Sequence, residues 1–374
     1  MSLISTLYKG KKVLVTGHTG FKGTWLSLWL NHLEANVVGV SVDIPSDPSH
    51  FVSANVSNEI DDYRLNICDA EGVKEIVSAV EPDIVFHLAA QALVRPSYDS
   101  PLKTLSTNAI GTANILDSLR SLEKPVVAVM ITSDKAYDNV EWIWGYRETD
   151  RLGGKDPYSA SKGMAELAIR AYVESFFNSL DSNVRVGITR AGNVIGGGDW
   201  AVDRIVPDCM QAWSLNQVVD IRSPQATRPW QHVLEPLSGY LLLGVNLTES
   251  MSYHGEAYNF GPNANQNHSV SDLINEMEKY WDRVQWNDVS QNEEHVHEAG
   301  LLKLNCDKAL FDLKWRPALK FDETVRMTVE WYKKYYQYTE LETSGTMYDF
   351  TVSQIEEYTQ LAEQRGIAWA TSKI

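Results

Sequence analysis

Tyr158 and Lys162 lie four residues apart in Pro157-Tyr-Ser-Ala-Ser-Lys162. On a helix that spacing sets them one turn apart on a single face. An ammonium beside a phenol favours the phenolate and draws the phenol pKa toward working pH. A phenol tuned in this way can exchange a proton with a sugar hydroxyl while a hydride moves to a dinucleotide. Upstream, Gly17-His18-Thr19-Gly20-Phe21-Lys22-Gly23 offers the place for that dinucleotide. One glycine makes the turn, one lets backbone approach a pyrophosphate, and one lets helix pack on strand. The pyrophosphate then rests on the N-terminus of the following helix. The first gap of this loop differs by one residue from the usual dinucleotide fingerprint. The context confirms it, because an apolar strand-like run precedes the loop and an apolar-periodic helix follows.

A second polar run, Thr132-Ser133-Asp134-Lys135, closes the apolar segment Val126-Val-Ala-Val-Met-Ile131. A hydroxyl, an acid and an amine at a strand end are costly to bury without a purpose. Alone, the run reads equally well as a helix-capping loop; Tyr158 and Lys162 downstream tip it toward catalysis. An acidic residue about 20 positions past the loop should take the ribose hydroxyls. Asp43 is the candidate, with Ser41 as the alternative, and a plain turn before Pro45 is the competing reading. No arginine stands in that stretch, which favours NAD over NADP.

The elements that must position these groups alternate. Strands are predicted at 12–16, 37–42, 84–87, 126–131 and 184–189. Helices are predicted at 21–33, 70–80, 97–121 and 157–178. Alternation of this kind implies an α/β fold, a Rossmann-like doubly wound parallel sheet covered on both faces. After Arg190 the rhythm breaks into segments rich in Trp, Pro, Asn and Arg. These predict a smaller mixed α/β substrate lobe over the carboxyl ends of the strands, where open α/β sheets bind ligands. The expected organisation is a dinucleotide domain over 1–194 with a return near 230–262, an interleaved lobe over 195–340, and a helical tail over 341–374.

The bulk properties exclude other classes. The chain has 374 residues and a net charge of −16, the opposite of the basic footprint of a nucleic-acid binder. A negatively charged ligand must therefore be held by local Arg, Lys or helix N-termini. No apolar run approaches the length of a membrane span, and the first ten residues lack the pattern of a signal peptide. Cys68, Cys209 and Cys306 form neither a metal motif nor a disulfide framework. They read as reduced thiols of a cytoplasmic protein. No metal is expected.

The chain resembles the extended short-chain dehydrogenase/reductases, and within them the nucleotide-sugar 4,6-dehydratases. The resemblance runs from about residue 10 to residue 335. Its most specific segments are Arg190-Ala-Gly-Asn-Val-Ile-Gly-Gly-Gly-Asp-Trp200, Arg228-Pro-Trp-Gln-His-Val-Leu-Glu-Pro-Leu237 and His297-Glu-Ala299. It implies an NAD-dependent lyase acting on CDP-glucose or a related nucleotide sugar in deoxysugar biosynthesis. Tyr158 would take the 4-hydroxyl proton as hydride leaves C4. Ser133 would polarise the ketone, and Asp134 would protonate the departing 6-hydroxyl. Lys135 stands where relatives carry a glutamate, the presumed C5 base; it acts as that base or stabilises the enolate while another group takes the proton. Gly17, His18, Gly20, Phe21, Lys22, Gly23, Asp43, Asn66, Ile67, Ala89, Ala90, Gln91 and Asn108 would hold the cofactor, together with Tyr158 and Lys162. Asn193, Arg204 and Arg228 would hold the substrate diphosphate, with His297 and Glu298 near its base. A homodimer or homotetramer is implied through a four-helix contact of segments 97–121 and 157–178. The rival readings are a sugar-nucleotide epimerase, a GDP-mannose dehydratase, and a non-catalytic NAD sensor.

Overall fold

A strand covered on both faces must be apolar at every position, whereas a half-covered one alternates. Val13, Leu14 and Val15 are all buried, as are Val126 through Ile131. Such runs build the centre of one seven-stranded sheet, composed of β1 (Lys12–Thr16), β2 (Asn36–Ser41), β3 (Asp61–Arg64), β4 (Ile84–His87), β5 (Val126–Ile131), β6 (Val184–Ala191) and β7 (Ala257–Phe260). The strand order is β7-β6-β5-β4-β1-β2-β3 and every pairing is parallel. The computed structural model describes residues 3–179, 181–264, 266–291, 301–341 and 346–371.

Alternate side chains of each strand enter different cores, as the two-residue period requires. Val13, Val15, Ile84, Phe86, Val127 and Val129 face one core. Leu14, Val85, Val126, Ala128 and Met130 face the other. The first core is covered by α1 (Phe21–His32) and α6 (Leu234–Glu249). The second is covered by α2 (Ala70–Val80), α3 (Gly111–Leu119) and α4 (Pro157–Tyr172). Local chemistry starts these helices. Asp69 accepts the Gly72 N–H at 3.1 Å and Asp156 accepts the Ser159 N–H at 2.9 Å, with Pro157 in the first turn.

The chain steps from β1 outward to β2 and β3, then crosses to β4 on the other side of β1. The reversal opens a crevice at the carboxyl ends of β1 and β4. Beyond β6 the pieces are smaller: α5 (Ile205–Ser214), a parallel pair of Val219–Ile221 with Trp286–Asp288, and an antiparallel pair of Thr227–Arg228 with His268–Ser269. At the C-terminus, α7 (Phe321–Leu341) and α8 (Met347–Gln364) pack back on the first core. Trp29 of α1 meets Tyr358 edge-on at 5.8 Å, and the buried Glu235 of α6 accepts bonds from the Tyr358 hydroxyl and the Ala318 and Leu319 N–H groups. The described part of the helical tail expected at 341–374 is thus built into the core.

The helix expected over 97–121 is broken. It runs as Val94–Asp99, Pro101–Leu105, a wider turn at Ser106–Ile110, and α3. Pro101 cannot donate to the preceding turn, and Ser100 leaves the helical region (φ −137°, ψ 65°). The helix begun at Pro157 ends as α4 at Tyr172 and continues in a wider turn at Val173–Phe177.

Candidate active site

The glycine loop connects β1 to α1. Gly17 has φ +76°, and a Cβ there would lie 2.7 Å from Ala89 N. A Cβ on Gly23 would lie 2.0 Å from the Gly17 carbonyl oxygen. These two positions admit only glycine, the first for its backbone angle and both for want of space. Gly20 precedes α1 in extended conformation, and no side chain caps the helix. The first N–H groups of α1 are therefore open to the cleft, as a pyrophosphate requires. This cradle fits a dinucleotide.

The cleft above it has a volume of about 1110 Å³ and is walled by both parts of the chain. Gly17, Gly20, Phe21, Lys22 and Gly23 line it, with Asp43 after β2, Asn66 and Ile67 after β3, and Ala89, Ala90 and Gln91 after β4. Asp43 accepts the Thr19 hydroxyl through its backbone carbonyl at 2.7 Å, which ties the end of β2 to the glycine loop.

His18 and Asn108 depart from expectation. The His18 ring neither lines the cleft nor reaches solvent. It is buried over β2, with Nε2 2.9 Å from Asp62 Oδ1 and Nδ1 3.0 Å from Ser41 Oγ. Gly39 creates the slot, since a Cβ there would lie 2.4 Å from the ring. Burial lowers the His18 pKa against the opposing pull of Asp62. Asn108 is buried behind the cleft wall. Its amide donates to the Gln91 carbonyl at 2.9 Å and Ser161 Oγ at 2.8 Å, and its oxygen accepts the Gln91 N–H at 2.8 Å. It fastens the β4 loop to α4 and touches no ligand space.

The expected catalytic residues converge. Ser133, Asp134, Lys135, Tyr158 and Lys162 all face the same cleft. Ser133 Oγ donates to Asp134 Oδ1 at 2.9 Å and accepts the Lys135 N–H at 3.2 Å, closing a short turn at the end of β5. Ser133 also acts on the Tyr158 phenol, opposing the rise in its pKa. The phenol, the hydroxyl and the carboxyl thus share one cleft. Burial raises the Asp134 pKa, opposed by Lys135, the Ser133 bond and Lys22.

The Tyr158 phenol is shifted opposite to the direction expected from a neighbouring ammonium. Burial pushes it up to about 12, against the influence of Ser133 and the Arg204 charge. Lys162 Nζ lies 6.0 Å from the centre of the phenol ring, and burial lowers its own pKa to about 8. Desolvation outweighs the neighbouring cations at this depth.

Sequence reasoning missed the layer that holds these groups. Arg190 of β6 and Glu166 of α4 form a fully buried ion pair, joined by Arg190 Nε to Glu166 Oε1 at 2.6 Å. Thr132 donates to Glu166 at 2.7 Å, and Arg190 donates to the Tyr137 hydroxyl at 2.7 Å. Leaving either charge of such a pair uncompensated costs about 3–5 kcal/mol. The pair therefore pins β6 to the helix bearing Tyr158, and the Thr132 bond ties the end of β5 to the same glutamate. The signal was present: Glu166 continues the 158, 162 face by one more turn, and Arg190 sits inside an apolar strand.

Lys22 and Arg204 also stand closer to the catalytic groups than expected. Burial and the Arg204 charge lower the Lys22 pKa to about 8, with Asp134 opposing. Arg204 pairs with Asp199 at 2.7 Å while its charge reaches Tyr158. Asn193 and Arg228 line the far side of the cleft. His297 and Glu298 lie outside the described residues.

Sheet order, glycine cradle and the convergence of Tyr158, Lys162, Ser133 and Asp134 on one cleft define an extended short-chain dehydrogenase/reductase. A family model described as GDP-mannose 4,6 dehydratase matches residues 14–328, and the chain belongs to that family of nucleotide-sugar 4,6-dehydratases, which are hydro-lyases. The chain is 45% identical over 330 residues to the CDP-glucose 4,6-dehydratase of Salmonella typhimurium, covering 87% of this chain and 91% of that one. It is 25% identical over 362 residues to the dTDP-glucose 4,6-dehydratase of Shigella flexneri, covering 90% and 96%. Among solved structures, an epimerase of Methanothermobacter thermautotrophicus shares the fold with a TM-score of 0.74 at 23% identity, covering 90% of this chain and 96% of that one.

Proposed function

We propose that this cleft converts CDP-D-glucose to CDP-4-dehydro-6-deoxy-D-glucose with NAD as a recycled cofactor. The observation that carries the reading is the convergence of phenol, hydroxyl and buried carboxyl on one cleft, with Ser133 Oγ bonded to Asp134, because oxidation at C4 needs the first and loss of water at C6 needs the last. Bound NAD would accept the hydride from C4 and return it to C6, and its oxidised ring adds a positive charge that favours the Tyr158 phenolate. Tyr158 takes the proton of the 4-hydroxyl. Ser133 donates to the resulting 4-ketone, which acidifies the C5 hydrogen. As the C5 proton leaves, the C6–oxygen bond breaks and Asp134 protonates the departing hydroxyl, releasing water. Lys135 serves at C5, either taking that proton or balancing the enolate charge alongside Lys22. Arg204, Arg228 and Asn193 hold the diphosphate, suited by the match of guanidinium to phosphate.

NAD is preferred over NADP because the arginine that the sheet places beside Ser41 is already engaged. Arg64 bonds Asp62 at 2.7 Å and lies over Phe51. In this reading residues 1–194, with a return over 230–262, form the dinucleotide part, and 195–340 supply the substrate lobe. A second copy would cover Tyr98, Leu102, Ile110, Met164 and Leu167, which are exposed on the helices of 94–119 and on α4, so the particle in solution should have at least twice the mass of one chain by sedimentation. The three unpaired thiols suit a cytoplasmic location.

The test is a side-by-side incubation with CDP-, dTDP- and GDP-glucose and with GDP-mannose. A 4-keto product, read by its absorbance in alkali, is expected with CDP-glucose at a kcat/KM at least tenfold above the others. Equal conversion of all, or preference for another base, would contradict the assignment. No product from any of them would favour a non-catalytic dinucleotide sensor.

A further inference from the structure

The cleft extends past the catalytic groups into an arm between α5 and the strand Val219–Ile221. Arg204, at the N-cap of α5, lines this arm with Asp208 and Gln211 of the helix. Asp208 and Gln211, three residues apart, share one helix face, while Val206, Cys209, Met210 and Trp213 turn into the core. Arg222 lines the arm from the end of the facing strand. The other carboxylates lining this side have partners; Asp220 accepts the Asn287 amide at 3.1 Å. Asp199 pairs with Arg204 at 2.7 Å and Asp203 with Arg95 at 2.6 Å. Asp208, half-buried, has no side-chain hydrogen bond or ion pair among the described residues. Burial and the Asp203 charge raise its pKa to about 6, with Arg222 opposing. At neutral pH it is an ionised acceptor facing the cleft.

An unpaired carboxylate repels a diphosphate, so the diphosphate stops at Arg204 and Arg228. Asp208 lies about 6 Å farther along the helix axis at 1.5 Å per residue, where the nucleoside continues. Bases differ in what they show such a group. Cytosine presents an exocyclic amino donor beside acceptor atoms, whereas uracil and thymine present a keto acceptor in the amino position. We infer that Asp208 accepts the exocyclic amino group of a cytosine, with Arg222 donating to the acceptor edge of the same ring, and that these two residues select the base of the substrate. This rests on the reading of the cleft as a nucleotide-sugar site and adds to it the residues that choose the nucleotide.

The test measures binding of CDP, UDP and GDP to NAD-loaded enzyme by calorimetry, for the natural protein and for Asp208→Asn. A hydrogen bond to a charged group is worth about 1.5–3 kcal/mol, so Asp208→Asn should weaken CDP at least tenfold. Its new amide donor should leave UDP unchanged or tighter, collapsing the CDP-to-UDP ratio. Asp208→Glu, which keeps the acceptor, should restore part of the preference. Asp203→Asn, which removes a neighbouring charge already paired with Arg95, should leave the ratio as it was. Undiminished NAD affinity in Asp208→Asn shows that the variant is folded. If it is not folded, Asp208→Glu and Asp203→Asn decide, the inference failing if both alter the ratio alike. A natural enzyme that prefers CDP while Asp208→Asn keeps the same ratio overturns this inference alone. A loss confined to GDP would overturn it in favour of a purine. A natural enzyme without CDP preference overturns both this inference and the substrate assignment.

Discussion

Tyr158→Phe should lower turnover by about 10²- to 10⁴-fold, the span of a positioned proton acceptor, while leaving substrate and dinucleotide affinity nearly unchanged. The phenol lines the cleft with Ser133, and removal of its hydroxyl takes away the group that accepts the 4-hydroxyl proton. The ring itself remains packed, since Tyr158 is buried on α4. Because burial holds the phenol up to about 12 before any ligand binds, ionisation depends on the positive charges gathered around it. Steady-state kcat and KM, with separate titration of NAD, check the split. A KM rise with intact kcat would move Tyr158 from proton transfer to binding.

Asp134→Asn should lose a similar factor in overall turnover, but at a later step. Oxidation at C4 needs Tyr158 and does not need the carboxyl. Elimination needs a proton for the departing hydroxyl, which an amide cannot give. The variant should therefore accumulate reduced cofactor, seen as nicotinamide absorbance on mixing with substrate, with little 6-deoxy product. The pH dependence follows from the same residue. Burial raises the Asp134 pKa, so the protonated, donating form persists to higher pH than for a free carboxyl. The elimination rate falls as pH rises through that pKa, and this limb should be missing in Asp134→Asn. Turnover unchanged by the substitution would assign the acid role elsewhere.

Much of this site was legible because its signals are local. The loop at 17–23 follows a strand and opens a helix within one short unit, and Tyr158 and Lys162 need only helical periodicity to share a face. The central strands β1, β4 and β5 are apolar through their middles because both faces are covered. What escaped depends on distant contacts. β3, Asp61–Arg64, is polar because it is an edge strand, and β7, Ala257–Phe260, is short and far along the chain. The place of His18 depends on Gly39 and Asp62, which are brought to it by β2 and β3. The direction of the Tyr158 shift depends on how deeply the finished fold buries the phenol, a quantity that four-residue spacing does not contain. The partnership of Arg190 with Glu166 needed the register of β6 against β5 and the seat of α4 on the sheet.

The most direct measurement follows a label through the reaction. CDP-glucose carrying deuterium at C4 is turned over by the enzyme with bound NAD, and the product is examined by NMR and mass spectrometry. If one site oxidises C4, expels water across C5 and C6 and reduces C6 with the same hydride, the deuterium appears at C6 of the 4-keto-6-deoxy sugar. Deuterium returned to C4 of an epimerised sugar, or a product without the label, would contradict that account.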